Sequence, residues 1–129
     1  MAQRIGNITL LVRDYDEAIA YYTGVLGFQL LEDTDQGNGK RWVVVSPADA
    51  GNTGLLLAQA VTDEQRASIG RQAGGRVFLF LHTEDFEADY ARYKAAGVQF
   101  LEEPRYETYG SVVVFADCFG NKWDLLQLK

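Results

Sequence analysis

The chain has 129 residues, 47% apolar and 23% charged, which is one domain's length and enough to bury a core. Its formal net charge of −6 argues against a nucleic-acid backbone or an anionic membrane surface as partner. No apolar run is long enough to span a membrane, and the opening MAQRIGN lacks a signal peptide's apolar core; the lone Cys118 excludes an internal disulfide and points to a reducing cytoplasm.

Residues Ile5–Val12 (IGNITLLV) have the β-branched and leucine content of a strand. Asp14 is a helix N-cap, and Glu17 three residues on completes a capping box. Tyr15, Ala18, Ile19, Tyr22 and Leu26 then share one apolar stripe, which Gly24 and Gly27 end, Gly27 as the C-cap. Phe28–Glu32 is a second strand, Asp33–Lys40 a polar hairpin turn, and Arg41–Ser46 a third strand. A loop over Pro47–Gly54 leads to a fourth strand, Leu55–Gln59. Thr62-Asp63-Glu64-Gln65 caps a short helix to about Ile69, and Gly70 with Gly74-Gly75 marks a joint.

The order then recurs. Val77–Thr83 is a strand, and Asp85 caps a helix carrying Phe86, Tyr90, Tyr93 and Ala96 that ends at Gly97. Val98–Glu102 is a strand, Pro104–Tyr109 a loop, Ser111–Ala116 a strand, and Asn121–Gln127 the last strand, entered through a Gly120-Asn121 turn that tolerates left-handed backbone. The two helix caps lie 71 residues apart (85 − 14), and "LLLAQ" from Leu55 aligns with "WDLLQ" from Trp123 at an offset of 68 (123 − 55). The sequence is a duplicated β-α-β-β-β unit of α+β class, with unit one at about 4–60, a linker at about 61–75 and unit two at about 76–128 within a single domain. Eight main strands and two main helices on the outer faces are expected.

With V-R-D-x-D-x-A-x-x-Y-Y early (from Val12) and D-x-x-G-N-x-W-D-L late (from Asp117), this order resembles the glyoxalase/bleomycin resistance/dioxygenase family, the vicinal oxygen chelate superfamily, over about Ile5 to Leu128. The resemblance implies two units whose sheets curl into a half-open barrel, with a divalent metal inside that activates vicinal oxygens of a substrate. It implies ligands at Asn7 and Phe78 on the first strands, and at Leu56 and Asp124 on the last. Leu56 and Phe78 carry no donor atom, so no cofactor is expected; a divalent metal, if held, would rest on Asp124 and Asn7. The single His82 shares Phe78's face but lies about 13 Å along the strand, which places it at the rim.

Asp124 stands out on physical grounds alone. Strand alternation puts Lys122, Asp124 and Leu126 on one face and Trp123, Leu125 and Gln127 on the other. A carboxylate there is costly unless that face lines a polar cavity, a salt bridge to Lys122 or Arg41 being the structural alternative. Thr9 shares Asn7's face and Phe80 shares Phe78's; Trp42, Arg41, Tyr106, Tyr109 and Lys122 lie on or near strands bordering the same space. Aromatic lining with a few polar groups suits a small-molecule pocket, although each aromatic alone is also ordinary core. Two functions remain open. One is a glyoxalase-like lyase, isomerase or ring-cleaving enzyme on a small oxygenated molecule, with Asp124 as acid/base and Asn7 as a hydrogen-bond donor to a carbonyl or oxyanion. The other is non-catalytic, drug-sequestering binding of the bleomycin-resistance type. In either case a homodimer is expected, since exposed strand edges need covering.

Overall fold

The computed structural model describes residues 2–47 and 52–129, so part of the expected Pro47–Gly54 loop lies outside the described residues. The chain forms two compact units, Met1–Ile69 and Gly70–Lys129. Unit one contains β1 (Asn7–Val12), α1 (Tyr15–Ile19), β2 (Gln29–Gly37), β3 (Lys40–Ser46), β4 (Gly54–Gln59) and α2 (Asp63–Ser68). Its sheet has the order β1-β4-β3-β2, with β1 and β4 parallel and the other pairs antiparallel. Unit two contains β5 (Val77–His82), α3 (Phe86–Ala95), β6 (Gln99–Phe100), β7 (Arg105–Glu107), β8 (Gly110–Ala116) and β9 (Lys122–Leu128). Its sheet runs β5-β9-β8-β6, with β5 and β9 parallel and β7 added on β8. Each unit thus pairs its first strand in parallel with its last at one end of its sheet order, as the internal duplication requires.

Period-two burial explains both sheets. In unit one, Leu10, Val12, Val43, Val45, Leu55 and Leu57 are buried on one face. Against this sheet α1 packs on β3 and β4, with Tyr15 and Ala18 buried. In unit two, Val113, Phe115, Trp123 and Leu125 are buried, and α3, whose Phe86 and Tyr93 are buried, packs on β9. Phe115 stacks on Trp123 with ring centroids 5.9 Å apart and meets Tyr93 edge-on at 5.8 Å. Gln127, on the same face, closes the start of α3: its Oε1 accepts from Phe86 N at 2.8 Å and its Nε2 donates to Glu84 O at 2.9 Å.

Four local departures from the sequence-based expectation have physical causes. The first helix widens after Ile19 into a π-helical segment, Ala20–Val25, with Leu26 N bonding Tyr21 O at 3.1 Å. The Thr23 hydroxyl donates to Ile19 O at 2.7 Å, and the extra residue lets both Tyr22 and Leu26 reach the core. The segment Asp33–Lys40 is mostly strand, its turn reduced to Asn38 (φ 57°) and Gly39 (φ 80°), the pairing that a two-residue hairpin demands. Residues 105–107 form a ninth strand rather than loop, while the strand expected at Val98–Glu102 contracts to two residues. Of the capping boxes, Asp14 and Thr62 accept from Glu17 N and Gln65 N as expected, but Glu17 bonds Arg13 instead of reaching back to the cap.

Candidate functional site

The turn before β9 is built by one buried carboxylate. Asp117 Oδ1 accepts from Phe119 N and Asn121 N, both at 2.9 Å, and its Oδ2 accepts from Asn121 Nδ2 at 3.0 Å. Only Gly120 (φ 100°) takes left-handed backbone; Asn121 contributes through its side chain, not through the backbone freedom expected of it. The turn delivers β9 in a fixed register, with Trp123 and Leu125 buried and Asp124 half-buried on the opposite face.

Asp124 is level with Phe80 on β5 and with Val114 on β8. Its Oδ1 is buried without a hydrogen-bond partner. Neither expected salt bridge forms. Arg41 holds Asp33 in a bidentate pair (3.1 and 2.7 Å) and Asp16 at 3.0 Å, and the Lys122 ammonium donates to Gly75 O at 3.1 Å. The cation that does act on Asp124 is Arg105. Desolvation raises the Asp124 pKa above its ordinary value, Arg105 pulls it down and Glu102 pushes it up.

Glu102 is the hinge of this cluster. Its Oε2 accepts from Arg105 Nε at 3.0 Å and from Val114 N at 3.1 Å, filling the gap that β6 and β7 leave along β8. Arg105 also interacts with the Tyr109 side chain. Unit two therefore presents Asp124, Arg105, Glu102, Tyr109 and the 58% exposed Phe80 in one neighbourhood. His82 is exposed, opposite Leu126 and two residues beyond Phe80. That is roughly 7 Å along the strand from Asp124's level, nearer than the 13 Å expected. The reason is that Asp124 is level with Phe80 rather than Phe78, as Leu56 is level with Thr9 rather than Asn7 in unit one.

Unit one offers a cavity of about 550 Å³ whose lining includes Thr9, Leu11, Trp42, Leu56, Ala58 and Gln65. Thr9 stands level with Leu56 and Leu11 with Ala58, so alternation on two paired strands brings these residues to one face. Asn7 lies one step back, level with Gly54 and exposed; a Cβ at Gly54 would come within 3.1 Å of Asn7 Oδ1. The lining does not include Asn7. Phe78 and Lys122 line a different cavity of about 240 Å³ within unit two.

A divalent ion needs four to six nitrogen, sulfur or oxygen donors, and the resemblance-based quartet offers only an amide and a carboxylate. Leu56 and Phe78 have none, and among the described residues no three His, Cys, Asp or Glu side chains come together around a common point. The resemblance-based quartet does not fit a metal.

Glu102 and Arg105 escaped the sequence reading because they fall at a strand end and in an assumed loop. A signal was present: opposite charges three apart across Pro104, a residue that breaks strand pairing and leaves the β8 donor Val114 N to the Glu102 carboxylate.

A family model described as Glyoxalase/Bleomycin resistance protein/Dioxygenase superfamily matches residues 4–125. A protein of Shewanella frigidimarina (strain NCIMB 400) is 54% identical over 130 residues, covering 100% of this chain and 96% of its own length. Among solved structures, UcmS2 is 32% identical with a TM-score of 0.84, covering 98% of both chains. TnmS3, an antibiotic binding protein from Streptomyces sp. CB03234, is 29% identical with a TM-score of 0.79, covering 99% of this chain and 98% of its own.

Proposed function

Given that the chain belongs to the glyoxalase/bleomycin resistance protein/dioxygenase superfamily, we propose that it binds and sequesters a small, largely apolar, oxygen-bearing molecule without transforming it. The observation that carries this reading is the unit-one cavity. Its volume of about 550 Å³ is that of a drug-sized site, its walls are mainly Trp42, Leu56, Leu11 and Ala58, and a few polar groups (Thr9, Gln65) could orient a guest. Trp42 supplies a large ring face on which a planar ligand stacks, and burial of apolar surface at about 25 cal/mol per Å² supplies the drive. Arg41 is committed to Asp33 and Asp16, whereas Lys40, also in the lining, can donate to an oxygen of the guest. TnmS3 is an antibiotic binding protein, and that likeness supports ligand capture as the task here.

A second reading rests on Asp124. An unpartnered carboxylate with a raised pKa, flanked by Arg105 and Glu102, has the makings of a general acid or base in metal-free lyase or isomerase chemistry. In both readings the protein works in the cytoplasm, as a homodimer, with no resident metal.

The test uses the two tryptophans. Trp42 lines the cavity, whereas Trp123 is buried beneath α3. Titration with a panel of planar quinones and polyketides should quench the Trp42 emission saturably, and Trp42→Phe should abolish that quenching while Trp123 emission persists. Bound compounds recovered chemically unchanged support sequestration; product formation that Asp124→Asn abolishes would replace it with the enzymatic reading. Quenching that survives Trp42→Phe would move the ligand out of this cavity.

A further inference from the structure

The second cavity has a character that the proposed function does not use. It lies wholly within unit two, has a volume of about 240 Å³, and is formed by the Gly70–Arg76 loop against the Gly120–Lys122 segment. Its lining carries three cations, Arg71, Arg76 and Lys122, and no carboxylate. That is notable in a chain with 18 acidic against 12 basic residues, where Arg13, Arg41, Arg66, Arg92 and Arg105 all hold acidic partners. Among the described residues Arg71 and Arg76 form no ion pair. The Lys122 ammonium spends one donor on Gly75 O, at 3.1 Å, and keeps two for a guest.

The walls are fixed at backbone level. Gly70 (φ 78°) lies so close to the β9 turn that a Cβ would sit 2.0 Å from Phe119 O. Gly74 N and Arg76 N bond the carbonyls of Arg71 and Ala73 at 3.0 and 3.3 Å, which sets the two arginines on one short turn. Phe78 supplies an apolar side. Asn121, 2% exposed, also lines the cavity; its Nδ2 is taken by Asp117 Oδ2, and its buried Oδ1 accepts from nothing. Cations on a rigid glycine-bearing loop select an oxyanion, and an orphaned acceptor asks that oxyanion for a proton.

We infer that this cavity binds a phosphate that brings a hydroxyl donor: hydrogen phosphate itself, or a small phosphate monoester with a neighbouring hydroxyl. Arginine and lysine hold the charged oxygens, and the O–H donates to Asn121 Oδ1. Sulfate matches phosphate in size and charge but has no proton to give at neutral pH, so it should bind more weakly. The site is independent of the unit-one cavity.

The experiment titrates the full-length, purified chain with inorganic phosphate, glycerol 3-phosphate and sulfate at low ionic strength, followed by amide chemical shifts and calorimetry. Expected are saturable shifts confined to residues 70–76 and 120–122, with sulfate at least tenfold weaker than inorganic phosphate. Arg71→Gln/Arg76→Gln should weaken phosphate at least tenfold with an unchanged melting temperature, and Arg66→Gln, a charge control outside the cavity, should leave it unaltered. Tighter binding of glycerol 3-phosphate identifies a monoester as the natural guest; tighter inorganic phosphate identifies the free ion. Shifts spread over the surface, or equal loss in Arg66→Gln, would show diffuse attraction and overturn the site. Equal affinity for sulfate and phosphate would remove Asn121 Oδ1 from recognition and with it the requirement for a donor. Absence of saturable binding refutes the proposal outright.

Discussion

Replacing Asp124 by Asn keeps the shape of the side chain and removes its charge, so it asks whether the carboxylate is kept for folding. A buried acceptor without a partner costs about 1–3 kcal/mol. Asp124 is only half-buried, and Arg105 offsets part of the penalty, so solvent screening reduces the gain from neutralising it to ~1 kcal/mol or less. With a melting entropy of about 2.1 cal/mol/K per residue, a chain of 129 residues should melt up to about 4 °C higher as the Asn variant at neutral pH. The pH dependence fixes the sign. Desolvation holds the folded pKa above its ordinary value, so the folded chain binds this proton more tightly than the unfolded chain does. The penalty of ionisation is therefore absent below the ordinary value of 3.8, grows as pH rises past it, and is complete above the folded pKa. Paired calorimetric melts from acid to neutral pH should show the two proteins converging in acid and separating toward neutrality, with Asn above. An Asn variant that melts well below wild type at neutral pH, or an advantage that widens in acid, would show that Asp124 is scaffold.

The Gly70 contact predicts a large loss for Gly70→Ala: ~1–2 kcal/mol for left-handed backbone plus ~1–3 kcal/mol for displacing the Phe119 carbonyl. Gly74→Ala, at φ 66° with nothing within 4 Å, should show only the backbone cost, so equal urea midpoints for the two variants would contradict the packing described. Elemental analysis after mild dialysis should find no stoichiometric metal; one tightly held zinc, nickel, iron or manganese per chain would require donors other than the Asn7, Leu56, Phe78 and Asp124 set. Light scattering at micromolar concentration should give twice the 14.4 kDa chain mass, and a single 14.4 kDa species would exclude the homodimer.

The fold was legible because both units repeat one pattern of cap, stripe and strand at nearly constant offset, although β3, β8 and β9 also bury consecutive residues such as Val43–Val45. What escaped the sequence was decided by single contacts rather than by pattern. Polar residues 33–37 read as loop, yet an arm with its bond-forming edge on β3 tolerates polar side chains on both faces. The quartet grouped Phe78 with Asp124, but the residue level with Asp124 is Phe80, just as Thr9 and not Asn7 is level with Leu56 in unit one. The face of Asp124 followed from alternation; the charges acting on it did not, because Arg105 is anchored by Glu102, and no periodicity encodes a side chain standing in for a strand. Thr9 and Trp42 both line the unit-one cavity, although alternation alone had not fixed the face of Trp42.

The parallel pairing of first and last strand in each unit has a consequence for how the chain emerges during synthesis. β1 finds its partner roughly 45 residues later in β4, and β5 finds β9 after a similar interval. At about 5–20 residues per second, each opening strand waits roughly 2–9 s with its central neighbour not yet made. Neither unit can therefore close its sheet progressively. Each should condense in one late step when its final strand leaves the ribosome, unit one well before unit two, and a truncation removing β9 should leave unit two unfolded rather than partly formed.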